Sequence, residues 1–218
     1  MQMQLLALGA ALSLAVAPAG DRSGATHHPQ ASAGATRDDP APGADLVGRP
    51  APPWSFERWA RGAPLSLEAL RGRVVLVRWW TDGCHYCATT LPALETLRAR
   101  HAGQGLVVIG AYHPKPPAAT SDRRILAFAD RLGFSGPIAV DRDWSTLERY
   151  WIAGHPESGW TSVSFLIDRE GIIRWVHGGG EYHPSNDPRH RSCDLEYRGL
   201  EQAIAAALAE PAAARATP

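Results

Sequence analysis

The sequence predicts an α/β fold, a mixed central β-sheet flanked by helices. Three observations carry this. The runs Val74-Val75-Leu76-Val77 and Leu106-Val107-Val108-Ile109 have the continuous apolar pattern of strands buried on both faces. Each is followed by a segment of helical character. Two later apolar runs are joined by the turn Asp168-Arg169-Glu170-Gly171, the pattern of a hairpin. Strand–helix–strand units, then a hairpin and a closing helix, describe a mixed sheet with helices packed against it.

In chain order, Leu5 to Ala17 is almost wholly apolar. Ala17-Pro18-Ala19 is similar to a secretory cleavage site, although Met1-Gln2-Met3-Gln4 carries no basic residue. This predicts a signal peptide over residues 1–19, or failing cleavage an N-terminal anchor, and an extracytoplasmic, periplasmic location. The run is shorter than the ~18–20 residues of a membrane span. Residues 20–45, rich in Ala, Gly, Pro, Ser and Asp, read as a disordered linker. A single domain is expected over 46–210, with a flexible tail at 211–218. Within it, strands are expected at 74–77, 106–109, 137–140, 163–167 and 172–177. Helices are expected at 92–99, 122–132, 144–151 and 195–208, with Asp122 capping or charging the second of these.

Composition limits the function classes. The 218 residues carry 22 basic and 22 acidic side chains. A chain with no excess positive charge has no electrostatic footprint for nucleic acid. There are three cysteines, too few for a disulfide-stapled scaffold, so spacing decides their meaning. Cys84 and Cys87 are three apart, and Cys193 stands alone.

The stretch Trp80-Thr81-Asp82-Gly83-Cys84-His85-Tyr86-Cys87 follows a buried strand and opens a helix. A cysteine at a helix N-terminus faces unpaired N–H groups and the positive end of the macrodipole. Both favour thiolate and lower the thiol pKa from ~8.5 into the range ~3.5–7.5. Cys87, one turn on, can reach Cys84 and expel a partner from a mixed disulfide. Cys84 is thus the attacking thiol and Cys87 the resolving one. A structural zinc site would need about four ligands, and only one Cys-x-x-Cys pair is present. His85 and Tyr86 between the cysteines either tune the thiolate or face solvent.

These residues resemble the thioredoxin superfamily, and within it the extracytoplasmic redoxins of the TlpA/ResA type. Leu70 to Trp80 is similar to that family's lead-in strand. Trp80 stands four residues before the first cysteine, Pro92 stands where a proline kinks the active-site helix, and Ser164 to Gly171 is similar to the family hairpin. The likeness spans residues 46–182. It implies a thioredoxin-like fold and a redox-active disulfide with no small cofactor. It also implies partners that are exported protein thiols or disulfides, served by a membrane-bound or soluble thiol redox protein. A narrower likeness, over Gly110 to Pro114, Ala139 to Asp143 and Gly180 to Tyr182, is to redoxin domains associated with membrane electron-transfer proteins.

Three positions depart from the family pattern. Ser162 stands where the family has a cis-proline. A cis bond without proline costs ~3–4 kcal/mol, so a trans or rearranged loop is expected, which could admit a metal ion to the thiols. Arg78 replaces a small polar or acidic residue, and either lies near the sulfurs, favouring thiolate, or reaches the surface along the sheet edge. Gly83 replaces a bulky residue and leaves room for a partner.

Cys193 reads either as a third redox thiol or as a small buried hydrophobe. Glu181 follows Gly178-Gly179-Gly180, glycines that permit a close or left-handed path. Glu181, His177 and His183 either assist proton transfer or are solvated loop groups. His113, His155, His183 and His190 could join the cysteines around a metal, although no metal ligand set is predicted. Of eight tryptophans, Trp80 is expected beside the dithiol and the other seven in plain packing.

The leading function is an exported thiol–disulfide oxidoreductase. The alternative is a copper or zinc binding and delivery module using Cys84 and Cys87. A peroxidase is a third possibility, but the Pro-x-x-x-Thr-x-x-Cys pattern is missing, with Val77 and Trp80 at its positions.

Overall fold

A computed structural model describes residues 41–211. The expected signal peptide, the linker up to residue 40 and the tail from residue 212 lie outside the described residues. The elements are β1 (Arg58–Arg61), β2 (Val74–Trp80), α1 (His85–His101), β3 (Leu106–Tyr112), α2 (Asp122–Arg131), β4 (Ile138–Val140), α3 (Ser145–Tyr150), β5 (Ser164–Ile167), β6 (Ile173–His177) and α4 (Arg191–Ala209). The sheet order is β1-β4-β3-β2-β5-β6. β2, β3 and β4 run parallel, while β1, β5 and β6 are antiparallel to their neighbours. None of the described helices is long and apolar enough to cross a membrane.

β2 is buried along its whole length, and its side chains alternate between two cores. Val74, Leu76 and Trp80 face a core closed by Leu91, Leu94 and Leu97 of α1, Phe128 of α2, and Tyr197, Leu200 and Ile204 of α4. Val75, Val77 and Trp79 face a second core with Leu147 and Tyr150 of α3 and with Trp54, Phe56 and Leu70.

Several expected boundaries move. β2 runs three residues past Val77. α1 begins at His85 rather than Pro92, because its first turn, His85 to Thr90, has no apolar repeat to announce it. Pro92 lies inside this helix, where it withdraws the amide that would bond Ala88 O. The cap of α2 is Ser121, whose side chain accepts from Arg124 N, and Asp122 is the first helical residue instead. α4 begins at Arg191, four residues before Leu195. Its buried stripe, Cys193, Tyr197, Leu200, Ile204 and Ala207, keeps helical spacing while Leu195 is 59% exposed. Cys193 is therefore in the first turn of this helix, not ahead of it.

Two segments were not foreseen. β1, an edge strand of sequence Arg58-Trp59-Ala60-Arg61, carries charges that mask a strand pattern. Its arginines pair with Asp122 and Asp130 on α2, and Arg58 and Arg61 also donate to Thr120 O and Phe134 O at 2.6 Å each. The packed chain also starts before Leu46. Ala44–Leu46 form a turn of 3-10 helix, Asp45 accepts from His155 Nε2 at 3.1 Å, and Gly48 N donates to Ile173 O at 2.8 Å. The end of the expected linker is thus ordered, tied by the Asp45 side chain to His155 and, just beyond it, by the backbone bond from Gly48 to β6.

One buried carboxyl joins the sheet to α3. Asp141 accepts the Trp79 indole N–H at 2.9 Å, Thr146 N at 3.1 Å and Leu147 N at 2.8 Å. Replacing it by alanine strands three buried donors. Asp141→Ala is expected to lower the unfolding free energy by roughly 2–4 kcal/mol, read as a shifted urea midpoint at unchanged slope. A loss below ~0.5 kcal/mol would show that water replaces these bonds freely.

Candidate active site

β2 ends at Trp80, and the chain turns through Thr81-Asp82-Gly83 into α1. Gly83 has φ +77°, a left-handed conformation that suits glycine, and a side chain there would meet open space. The site therefore has the room that this glycine predicts. Asp82, for which the motif alone predicts no role, fixes the turn. It accepts the Tyr112 hydroxyl at 2.6 Å and the Arg124 Nε–H. Burial alone would raise its pKa, but these two donors hold it below the usual carboxylate value. The Asp-Gly pair ahead of the cysteine was the available signal.

Cys84 occupies the N-cap of α1, with extended φ −83° and ψ 118°, and its sulfur accepts Cys87 N–H at 3.3 Å. A sulfur thus takes the place of a capping oxygen. Cys84 is half-buried and Cys87 fully buried, and both are free thiols. β5 pairs with β2 so that Ser164 lies opposite Arg78, and Trp79 N donates to Val163 O at 2.9 Å. This brings Ser162 alongside the helix start. Its hydroxyl lies 3.7 Å from Cys84 Sγ and 3.3 Å from Cys87 Sγ. The peptide before Ser162 is trans, as expected for a non-proline residue.

Arg78 does not reach the surface. The period of two along β2 points it into the core shared by α1 and α4, and it is fully buried. It donates to Ser164 Oγ at 3.3 Å, His177 Nδ1 at 3.4 Å and Gly180 O at 2.7 Å, and lies 5.3 Å from the Tyr182 ring centre. Its Nε has no partner. Every one of these partners is neutral. Burial, then the Arg78 charge, pushes His177 down to about 3, so it stays unprotonated.

These groups split the two thiols. Cys84 is lowered to about 6, first by the hydrogen bond with Cys87, then by Cys87 N–H, the Ser162 hydroxyl and the Arg78 charge, all against its partial burial. Cys87 is pushed up, first by holding the proton shared with Cys84 and next by burial. The resting pair is a Cys84 thiolate beside a Cys87 thiol.

A cleft of about 370 Å³ opens over Cys84, between His85 and Tyr86 on one side and Trp160 to Ser162 on the other. Tyr86 meets the Trp160 ring edge-on at 5.6 Å, and His85 is exposed, 6.0 Å from the Tyr86 ring. Trp160, read from sequence as plain packing, is 37% exposed at the cleft. It rests on Gly179, where φ is +132° and any Cβ would lie 2.3 Å from the Trp160 ring, so the glycines before Glu181 are a backbone requirement. Trp80 shares the buried core with Cys87, but its ring packs on Tyr112 at 5.1 Å and Phe128 at 5.6 Å.

The expected histidines scatter. His113 is buried beside Trp144, and His155 stacks on Trp151. His183 and His190 come together with Glu181 and Cys193. Among the described residues, that is the one group of three or more potential metal ligands, and it contains neither Cys84 nor Cys87.

Residues 47–176, more than half of the chain, match the model of the AhpC/TSA family. The chain is 31% identical over 125 residues to protein DipZ of Mycobacterium tuberculosis, covering 55% of this chain and 16% of DipZ. It is 31% identical over 119 residues to the thiol-disulfide oxidoreductase ResA of Halalkalibacterium halodurans, covering 55% of this chain and 61% of ResA. The match thus spans less than two thirds of either relative. A solved putative protein disulfide isomerase from Bacteroides thetaiotaomicron superposes with a TM-score of 0.60 at 23% identity, covering 75% of this chain and 91% of that one. The fold is thioredoxin-like.

Iodoacetamide alkylation followed against pH tests the thiol assignment. The Cys84 rate is expected to rise through a midpoint near 6, while Cys87 stays unreactive. Because the folded value is depressed, thiolate formation stabilises the reduced fold above the ordinary thiol pKa of ~8.5, and this is lost as pH falls through about 6. Arg78→Met is expected to move the midpoint toward the ordinary value without lowering the melting temperature. A midpoint unmoved by Arg78→Met would remove the guanidinium from the account.

Proposed function

The chain belongs to the AhpC/TSA family, and from that premise we propose that it is an exported thiol–disulfide oxidoreductase working through Cys84 and Cys87. The observation that carries this reading is the divided pair, a lowered, half-exposed Cys84 over a buried, raised Cys87. The relative named a thiol-disulfide oxidoreductase supports it. Export rests on the apolar run Leu5 to Ala17 and the small residues after it.

In the reductive direction, the Cys84 thiolate attacks one sulfur of a partner disulfide. A Cys84–partner disulfide forms, and the other partner sulfur leaves as a thiolate. Cys84 has then lost its charge, and with it the largest cause holding the Cys87 proton in place. The Arg78 charge still favours a Cys87 thiolate. Cys87 gives its proton to a departing thiolate and attacks Cys84 Sγ. This releases the second partner sulfur and closes the Cys84–Cys87 disulfide. Two electrons have passed to the partner, and a second thiol protein must return them. The cleft, with Tyr86 and Trp160 at its walls, opens over Cys84 and is the side from which the partner sulfur would approach.

A glutathione titration of the mature protein tests this. A single two-electron transition is expected, abolished by Cys84→Ser and by Cys87→Ser. A Cys84 value near 6 resembles thioredoxin's thiol more than the far lower one of DsbA. The midpoint is therefore expected between ~−270 and ~−120 mV, nearer the first. Cys87→Ser should accumulate a mixed disulfide between Cys84 and a disulfide-bonded peptide substrate, because the attack still occurs and the resolving thiol is missing. Disulfide reduction that survives Cys84→Ser would overturn the proposal.

A further inference from the structure

Outside the dithiol, a carboxyl, two imidazoles and a thiol converge where the segment after β6 meets the first turn of α4. One donor atom each from Glu181, His183, His190 and Cys193 lies within 4.8 Å of all the others. Cys193 Sγ is 3.8 Å from Glu181 Oε1 and 3.8 Å from His190 Nδ1, and these last two atoms are 3.8 Å apart. A tetrahedral zinc ion with bonds of ~2.0–2.3 Å sets ligand–ligand edges of about 3.3–3.8 Å. Three edges already stand near that length, and small side-chain rotations close the rest.

His183 supplies an independent sign. Its Nδ1 lies 3.1 Å from the Pro184 carbonyl, which places the ring proton on Nδ1 and leaves Nε2 with a free lone pair. That Nε2 is buried and has no hydrogen-bond partner. A lone pair left so is unfavourable in an empty site and is what a metal ion uses. Metal-bound imidazoles commonly donate their other N–H to a carbonyl in this way. Glu181 is held from behind as well, since its Oε2 accepts the Thr89 hydroxyl. The first ligand of the cluster is thus oriented by α1, two residues beyond Cys87.

We infer that Glu181, His183, His190 and Cys193 form a binding site for a zinc-class divalent cation. The ion is held by one thiolate, two imidazole nitrogens and one carboxylate oxygen. One sulfur and two nitrogens exclude magnesium and calcium, which take oxygen ligands, and suit a borderline ion. Cys193 is a free thiol before the ion binds. Binding forms the metal–sulfur bond and releases that one proton to solvent, with no change of oxidation state. The bound ion pins the segment 181–190 to α4 and, through Thr89, to the active-site helix.

The test uses the full chain, metal-stripped, carrying Cys84→Ser and Cys87→Ser so that the dithiol offers no sulfur ligand. Titration with Co²⁺ is expected to saturate at one equivalent. It should give the intense visible bands of tetrahedral cobalt and a thiolate-to-cobalt charge-transfer band, both displaced by Zn²⁺. Adding Cys193→Ser should abolish the charge-transfer band. His183→Ala, His190→Ala and the near-isosteric Glu181→Gln should each weaken binding by at least ~10-fold, with circular dichroism confirming the fold. A spectrum no different from hydrated cobalt would overturn the inference. So would a charge-transfer band that persists in Cys193→Ser.

Discussion

The buried strand β2 is the constraint on which the rest of the molecule depends. It is hydrogen-bonded on both edges and covered on both faces, so neither its register nor its direction can move without cost to two cores. Its alternation assigns odd positions to one core and even positions to the other. Its last residues therefore deliver an arginine, two tryptophans and then a forced exit from the sheet. The Asp82–Gly83 turn converts that exit into a helix start, and the helix start is what makes Cys84 a cap. A cap position exposes a sulfur to unpaired amides on one side and to a cleft on the other. Reactivity here is a consequence of where a strand must stop.

A buried guanidinium whose partners are a hydroxyl, an imidazole, a carbonyl and a ring face is energetically odd. Removing a charge from water is unfavourable by several kcal/mol, and none of these neutral partners restores it in full. The arrangement becomes intelligible when negative charge appears nearby, and the dithiol is where it appears. The depressed His177 follows from the same surroundings, because burial and then repulsion by Arg78 disfavour a second cation there. Cys87 is shifted in opposite directions by its neighbour and by Arg78. The neighbour's effect vanishes when Cys84 is bonded to a partner, and the arginine's effect does not. One fixed charge can thus serve both halves of the reaction.

How much of this was legible in the sequence depends on whether the signal is local. The apolar runs of β2 and β3, the hairpin at Asp168 and the Cys-x-x-Cys at a strand–helix junction are local patterns, and the structure contains them. β1 was not legible, because Arg58 and Arg61 owe their place to Asp122 and Asp130, more than sixty residues away. The early start of α4 was hidden because Arg191 and Ser192 carry no apolar repeat and Leu195 faces water. The two readings of Arg78 could be separated only by knowing that α4 and Tyr182 close over the even face of β2. Trp160 looked like packing because its exposure depends on a glycine nineteen positions later. The convergence of Glu181, His183, His190 and Cys193 crosses a loop whose path the three glycines leave open.

That loop joins features that would otherwise be separate. Gly180 supplies the carbonyl that holds Arg78, and Gly179 supplies the flat surface on which Trp160 rests. Glu181 then reaches back to Thr89 on the helix that carries both cysteines. No side chain on Gly179 separates the Trp160 ring at the cleft wall from the backbone beneath it. The backbone beneath Trp160 is also the one that positions the guanidinium. Ser162 completes the same economy of space. Where the resembling family has a rigid imide, this chain has an amide and a hydroxyl that reaches both sulfurs, exchanging a fixed loop shape for a hydrogen bond that can follow the charge from Cys84 to Cys87. The cleft wall and the Arg78 guanidinium therefore rest on one short segment, Gly179 to Glu181, which is itself tied to the helix of the cysteines.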